Sequence, residues 1–368
     1  MACLVSANSG AMKGKQRLPV CVTRAAQKNG LSTLGHSEWK RGEIALGKNI
    51  GASVAPSTAK SYDYWWRRFE DFCYRTGKES GSASAKEVAV FLSALGEEKG
   101  AMGGVKVARM ALRHHFRRLK PDRKSPTEGV VVDMALKGME RRFFQPVNKK
   151  APLKMEQFFR LLNVITEDGK LWDIKMNKLR LAAQISLMFC TFGRYEESAA
   201  LTVEQVQEVG GDLVVVFKKG KTYQMGNARK SVIPSLQEVE ARLDPVQVIK
   251  VYMNRLTKMN GGNLSGWLFP ALRVVQRREV VLDKAATYHC VRKQFLLYVQ
   301  EAGIKDSEGG EFSLHSMRRG GVSAAANAGA ADHLIMKQMR VGSVSTVQRY
   351  ASIDLKSLKM TARSVFAL

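Results

Sequence analysis

Acidic residues, paired cysteines and long apolar runs are all scarce in this sequence, and each shortage removes a class of protein. Only 33 Asp and Glu stand against 59 Lys and Arg, for a formal net charge of +26 and a pI near 10.0. That surplus exceeds what solubility asks for and points to a polyanionic partner. No apolar stretch approaches the roughly 18 residues of a membrane span, and no amphipathic anchor stands out, so nucleic acid is expected and membrane is not. The five cysteines (Cys3, Cys21, Cys73, Cys190 and Cys290) are odd in number, scattered and never spaced C-x-x-C. This argues against a disulfide framework and a zinc site, and fits an intracellular, DNA-associated setting, nucleus and nucleoid alike. His114 and His115 are adjacent with no third ligand nearby, against a metal centre. No internal repeat or low-complexity block is found.

What is there is a two-domain composition: 368 residues, 45% hydrophobic and 25% charged. Residues 1–55 hold eight Lys/Arg and only two acids, Glu38 and Glu43, without sustained periodicity, and read as a flexible basic tail. An organelle transit peptide is the other reading, although a clear amphipathic Arg helix is missing. Residues 56–145 carry four helical patterns. In "STAKSYDYWWRRFEDFCYRTG", Tyr62, Trp65, Phe69 and Cys73 share a face. Ser84 and Glu87 form a capping-box pattern ahead of Val88, Phe91, Leu92 and Leu95. In the third helix Val105, Ala108, Leu112, Phe116 and Leu119 line one face, and Arg109, Arg113, Arg117 and Lys120 another. Ser125 before Pro126 signals the start of the fourth. That basic stripe suits phosphate contacts to duplex DNA, which position a protein without specifying sequence; a solvated helix face is its plain alternative. Residues 146–153, basic and Pro-bearing, read as a linker. From 154 to 368 the pattern is mostly helical, interrupted by "DLVVVFKKGKTYQMGNARKSVIP", a hairpin or three-stranded sheet signal.

Three segments stand out in that second region: "TFGRYEESAAL", "KKGKTYQMG" and "LHSMRRGG…MRVGSVSTVQRY". Together they resemble the tyrosine recombinase, or phage integrase, family of Cre-like and Xer-like enzymes, over residues 57 to about 360. Gly193, Arg194, Glu197 and Leu201 match the family's first arginine motif. Lys221, with Lys219 as a neighbour, falls where the family's hairpin lysine lies. His315 and Arg318 match the H-x-x-R element, and Tyr350, 32 residues beyond Arg318, the nucleophile. The resemblance implies a mainly α fold with a small antiparallel β-sheet (α+β): an N-terminal helical, SAM-like core-binding domain and a catalytic domain with a C-terminal tail. It also implies double-stranded DNA as partner, a homo-tetramer on paired DNA sites, and catalytic roles for Arg194, Lys221, His315, Arg318 and Tyr350 with no cofactor.

Elementary chemistry asks for the same set. Metal-free cleavage of a phosphodiester gathers negative charge on the non-bridging oxygens, and rigid guanidinium forks suit those best. A phenol of pKa about 10 needs help to attack, and the leaving 5′ oxygen needs a proton. His315 suits the first task and Lys221 the second. Singly, each residue also fits a plainer role: Arg194–Glu197 a surface pair, Lys221 a solvated turn, His315 a cap, Tyr350 a packed aromatic. Their joint order and spacing favour an active site. One position departs: nine residues before Tyr350, where the family has His or Trp, stands Val341, with Arg340 and Gly342 on either side. On that departure a DNA-binding protein that has lost catalysis stays open as an alternative, and a type IB topoisomerase-like enzyme, which shares the chemistry, is a further one.

Overall fold

The structure, a computed structural model, describes residues 33–144, 150–166, 169–218, 228–263, 265–276 and 278–352. The chain divides into two compact units, Met1–Val147 and Asn148–Leu368.

In the first unit, helix α1 (Thr33–Gly51) occupies part of the stretch expected to be an unstructured tail. It escaped the pattern reading because no apolar stripe marks it: Trp39, Ile44 and Leu46 are all exposed. Helix α2 (Pro56–Arg75) opens on proline, buries Phe69 and Cys73, and leads into Gly77 at φ +67°. Helix α3 (Ala85–Lys99) begins with the Ser84–Glu87 capping box and buries Val88, Phe91, Leu92 and Leu95. Helix α4 (Met102–Leu119) contributes Val105, Ala108, Leu112 and Phe116 to the same core. Its last member, Leu119, instead turns outward. Ser125 caps a single 3-10 turn (Pro126–Glu128), and helix α5 (Val130–Arg142) starts only beyond it. Full burial of each large side chain here contributes about 1.5–3 kcal/mol before entropy is set against it.

The second unit is built around helix α7 (Met176–Cys190), buried along nearly its whole length. Helix α6 (Met155–Thr166) packs beside it. The short helix α8 (Tyr195–Ala199) follows, then an antiparallel sheet of β1 (Val206–Val209), β2 (Asp212–Phe217) and β3 (Arg229–Ile233) in that spatial order. Period-two alternation turns Leu213, Val215 and Phe217 inward. Helix α9 (Pro245–Met259) covers α7. A second antiparallel pair, β4 (Pro270–Val275) and β5 (Arg278–Ala285), lies where the sequence reading expected mostly helix. The hairpin lacks a glycine or asparagine signal, and Gln276 takes the left-handed turn conformation itself at φ +47°. The hairpin is tied to α7 at a distance: the Glu279 carboxylate accepts the Met176 and Asn177 N–H groups at 2.9 and 3.1 Å, capping that helix. Helices α10 (Tyr288–Glu301), α11 (His315–Asn327), α12 (Asp332–Met339) and α13 (Val344–Tyr350) complete the unit.

Two glycines set how deeply α11 sinks. A Cβ on Gly320 would lie 1.9 Å from the Leu153 carbonyl oxygen, and one on Gly321 would lie 2.3 Å from that of Phe189. Both obstacles are backbone, so no side chain can swing aside. Leu153 N–H also donates to Ser316 O at 3.1 Å, tying the segment ahead of α6 to the start of α11. Gly321→Ala is therefore expected to cost about 1–3 kcal/mol or more through overpacking. Gly342, where an added Cβ would meet nothing within 4 Å, serves as the control: equal denaturant midpoints for the two alanine variants would refute the close packing.

Candidate active site

The polypeptide leaves α7 through Phe192, a non-glycine residue at φ +51°, and enters α8 at Arg194. This sharp turn brings Glu197 back beneath it. Arg194 N–H donates to Glu197 Oε2 at 3.0 Å, and Arg194 Nη1 pairs with Oε1 at 2.9 Å. Glu197 is 4% exposed. Arg340 Nη2 reaches Oε2 at 2.8 Å, and Arg318 Nη1 stands 3.8 Å from it. Burial alone would raise the Glu197 carboxyl, but the Arg340 guanidinium, the Arg194 N–H and the Arg194 charge outweigh it and hold the group below its usual value. It is thus an anion at neutral pH, and three guanidiniums share it.

Arg318 lies one turn into α11, wholly buried, with Nη1 on Phe192 O at 2.5 Å and Nη2 on Met339 O at 3.4 Å. Its Nε has no hydrogen-bond partner among the described residues. Desolvation, then the neighbouring Arg194, lowers its pKa to about 10, which leaves it charged at neutral pH. The Arg318 guanidinium carbon sits 4.9 Å from the centre of the Tyr350 ring, and Tyr350 Oη shares a 3.1 Å hydrogen bond with His315 Nε2. His315 is placed by the start of α11, where its N–H donates to Ser313 Oγ at 3.2 Å. The ring has an open face, yet desolvation by its neighbours, followed by the charges of Arg318 and Arg194, depresses its pKa below the ordinary 6.5. A neutral imidazole therefore meets the tyrosine hydroxyl. The chain beyond Tyr350 stays on α11: Ser352 N–H donates to Ser323 Oγ at 2.9 Å, and Asn327 Nδ2 to Ser352 O at 3.3 Å. Tyr350 thus faces His315 and Arg318 of its own chain.

Four of the five expected catalytic residues, Arg194, His315, Arg318 and Tyr350, converge through these contacts with Glu197. Lys221, with its neighbour Lys219, lies outside the described residues. Val341 is buried with Phe192, Val322, Ile335, Met339 and Val347 in a small apolar cluster and presents no donor. Arg340 does not supply the missing one either, because its side chain is fully buried and points inward to Glu197. Its role escaped the sequence reading because its partners Thr191, Glu197 and Ser231 lie more than a hundred residues away.

In the first unit, Arg109 is held by Thr127 O, at 3.0 and 3.2 Å, and by Asp133. Arg113 and Arg117 both pair with Glu128, at 2.7 and 2.8 Å. These three arginines fasten α4 to the turn before α5 and to α5 itself. Lys120, beyond the end of α4, is exposed.

A mainly helical fold carrying a paired tyrosine and histidine over an arginine cluster defines a tyrosine recombinase or integrase, an enzyme that acts on DNA. Residues 152–356 match the phage integrase family, and the chain belongs to it. The integrase/recombinase xerD homolog of Selenomonas ruminantium is 24% identical over 303 residues, spanning 82% of this chain and 83% of its own length. Among solved structures, XerH site-specific recombinase bound to palindromic difH substrate, in a post-cleavage complex, is similar at a TM-score of 0.57 and 16% identity. It covers 82% of this chain and 78% of its own. The Tn1549 transposon integrase in complex with transposon right end DNA gives 0.57 and 16%, over 87% and 97%. A lambda integrase tetramer bound to a Holliday junction gives 0.52 and 15%, over 90% and 80%. At these identities the likeness to the solved structures is one of fold.

Two outcomes follow from this geometry. Glu197→Ala removes the counter-charge of buried guanidiniums and is expected to lower stability by about 3–5 kcal/mol, measured by chemical denaturation; a change under about 1 kcal/mol would show the carboxylate to be dispensable. Because the His315 pKa is depressed, the ring is neutral above pH 6.5 and gains its proton only below it. Any reaction that needs the free imidazole is expected to be level around pH 7 and to fall on the acid side of 6.5, with that limb absent in His315→Gln. An acid limb centred above 6.5 would contradict the placement of the ring.

Proposed function

We propose that the chain is a site-specific recombinase or integrase that cleaves and rejoins duplex DNA through a 3′-phosphotyrosyl link on Tyr350. The observation that carries this reading is the hydrogen bond between Tyr350 and His315, with the Arg318 guanidinium against the tyrosine ring. Tyr350 Oη attacks the scissile phosphorus, its proton passing to His315 Nε2. The P–O5′ bond breaks, and the 5′ oxygen leaves with a proton from Lys221. Arg194 and Arg318 hold the non-bridging oxygens as charge builds on them. The ester bond is kept in the phosphotyrosine, so a second 5′-hydroxyl can reseal the strand without ATP, and the chemistry asks for no metal. Attack is in cis, since Tyr350 is anchored on its own α11.

Duplex DNA as partner is supported by the +26 charge and by the DNA-bound relatives, and a homo-tetramer on paired sites by the tetrameric lambda integrase. Lys120, with the outer edges of Arg113 and Arg117, meets the phosphate backbone, while Arg109 contributes chiefly by holding α5 in place. A second reading, sequence-specific DNA binding without cleavage, is favoured by one observation: Val341 is buried where a phosphate donor would stand.

A suicide substrate separates the two. The purified chain is mixed with nicked duplex bearing a site recovered from a random DNA pool at low salt, and covalent adduct is read on a denaturing gel beside Tyr350→Phe. Adduct from the wild type, abolished in Tyr350→Phe while duplex binding persists, is the expected result. Tight specific binding with no adduct from either protein would leave the binding-only reading. Lys120→Ala is expected to reduce the salt dependence of binding by about one unit of log K per log salt, uniformly across sequences; an unchanged slope would remove Lys120 from the interface.

A further inference from the structure

The buried Arg340 takes no part in the chemical steps proposed above. It adopts the left-handed backbone at φ +60°, a conformation that disfavours any residue with a Cβ, and yet it carries one of the longest side chains. That side chain gathers three elements. Nη1 donates to Thr191 O at 2.9 Å in the turn after α7, to Ser231 Oγ at 2.5 Å on β3, and to Gln338 O at 2.7 Å at the end of α12. Nη2 pairs with Glu197 Oε2 at 2.8 Å. The guanidinium lies 3.8 Å over the Phe217 ring at the end of β2. A lysine ammonium has no such fork and no flat face to lay on the ring.

We infer that Arg340 is a positioning residue for phosphate capture: it satisfies Glu197 from inside the protein, so that Arg318 and Arg194 keep charge and donors for the scissile phosphate. Oε2 of Glu197 is occupied by Arg340 and by the Arg194 N–H, and Arg318 is left at 3.8 Å rather than in full contact. Without Arg340 the nearest cation able to take up that oxygen is Arg318. A guanidinium drawn down onto the carboxylate would present less charge to DNA. Three guanidiniums against one carboxylate leave a surplus of two positive charges. That surplus matches the two negative charges of a pentacoordinate phosphorane, and losing Arg340 halves it. Both terminal nitrogens of Arg340 are taken up inside the protein, by Thr191 O, Ser231 Oγ, Gln338 O and Glu197, so its action runs through Glu197. The inference rests on the strand-cleavage reading above.

The test compares two suicide substrates that differ only at the scissile group: an ordinary phosphodiester and a methylphosphonate, whose neutral centre makes less demand on a cationic clamp. Arg340→Gly suits the left-handed backbone and removes the guanidinium. Its adduct-forming rate is expected to drop by about a hundredfold on the phosphodiester, the scale of a small misplacement of catalytic groups, and by less than about threefold on the methylphosphonate. Arg340→Lys, which retains a cation beside Glu197, is expected to recover part of the phosphodiester loss, and it asks the same question should the glycine variant fail to fold. Equal losses on the two substrates would make Arg340 a merely structural residue and overturn the inference. So would a folded Arg340→Gly protein as active as wild type. A wild type that forms no adduct on either substrate is a different result: it sinks the cleavage reading itself, and the inference with it.

Discussion

A single buried carboxylate, Glu197, holds the catalytic unit to its chemistry. An isolated anion at that depth would be strongly disfavoured, and removing its charge partners would leave a penalty of several kcal/mol. It is stable there because cations arrive from three stretches of the chain: Arg194 from its own turn, Arg318 from α11 and Arg340 from the end of α12. Each arrival imposes a backbone condition. The turn after α7 must bend at Phe192 in a left-handed conformation, and Arg340 must adopt the same one. Residues in such conformations persist only where the surroundings over-determine them, and they gather at functional sites. Here the carbonyl of the first, Phe192, receives Arg318, while the side chain of the second reaches Glu197.

The depth of α11 is the second condition, and it follows from the absence of two β-carbons. Gly320 and Gly321 let the helix settle against the backbone at Leu153 and Phe189. At that depth Arg318 reaches Phe192 O while its guanidinium lies against the Tyr350 ring. His315, one turn earlier on the same helix, then stands at the open edge, where it meets the tyrosine hydroxyl. Desolvation and two nearby guanidiniums keep its ring neutral, the form able to accept a proton. Packing, charge and protonation state are therefore one arrangement rather than three.

Much of this was legible in the residues. The period-3.6 faces of α2, α3 and α4, the Ser84–Glu87 cap and the alternation of β2 follow from local physics, because each depends on neighbours within one or two turns. The G-R-x-x-E turn, the H-x-x-R pair and the distant tyrosine were recognisable by order and spacing. Helix α1 was not, since it carries no buried stripe, and neither was the β4–β5 hairpin, whose turn has no glycine and whose Glu279 is tied to a helix start about a hundred residues earlier. The stripe of Arg109, Arg113 and Arg117 was visible as a charge pattern, but its pairing with Asp133 and Glu128 was not.

The sequence by itself determined the family, because the G-R-x-x-E turn, the H-x-x-R pair and the tyrosine beyond them are residue types present in a recognisable order. It also determined most helix positions, which rest on short-range periodicity and capping. Only the tertiary structure decided which charges face outward and which are consumed internally. Arg318 and Arg340 are the same residue type, 22 positions apart, and both are buried. One lays its guanidinium against the tyrosine ring, while the other gives its fork to Glu197 and to the turn, strand and helix end around it. That division depends on electrostatic contacts spanning more than a hundred residues, whose energies exist only once the chain has closed around the carboxylate.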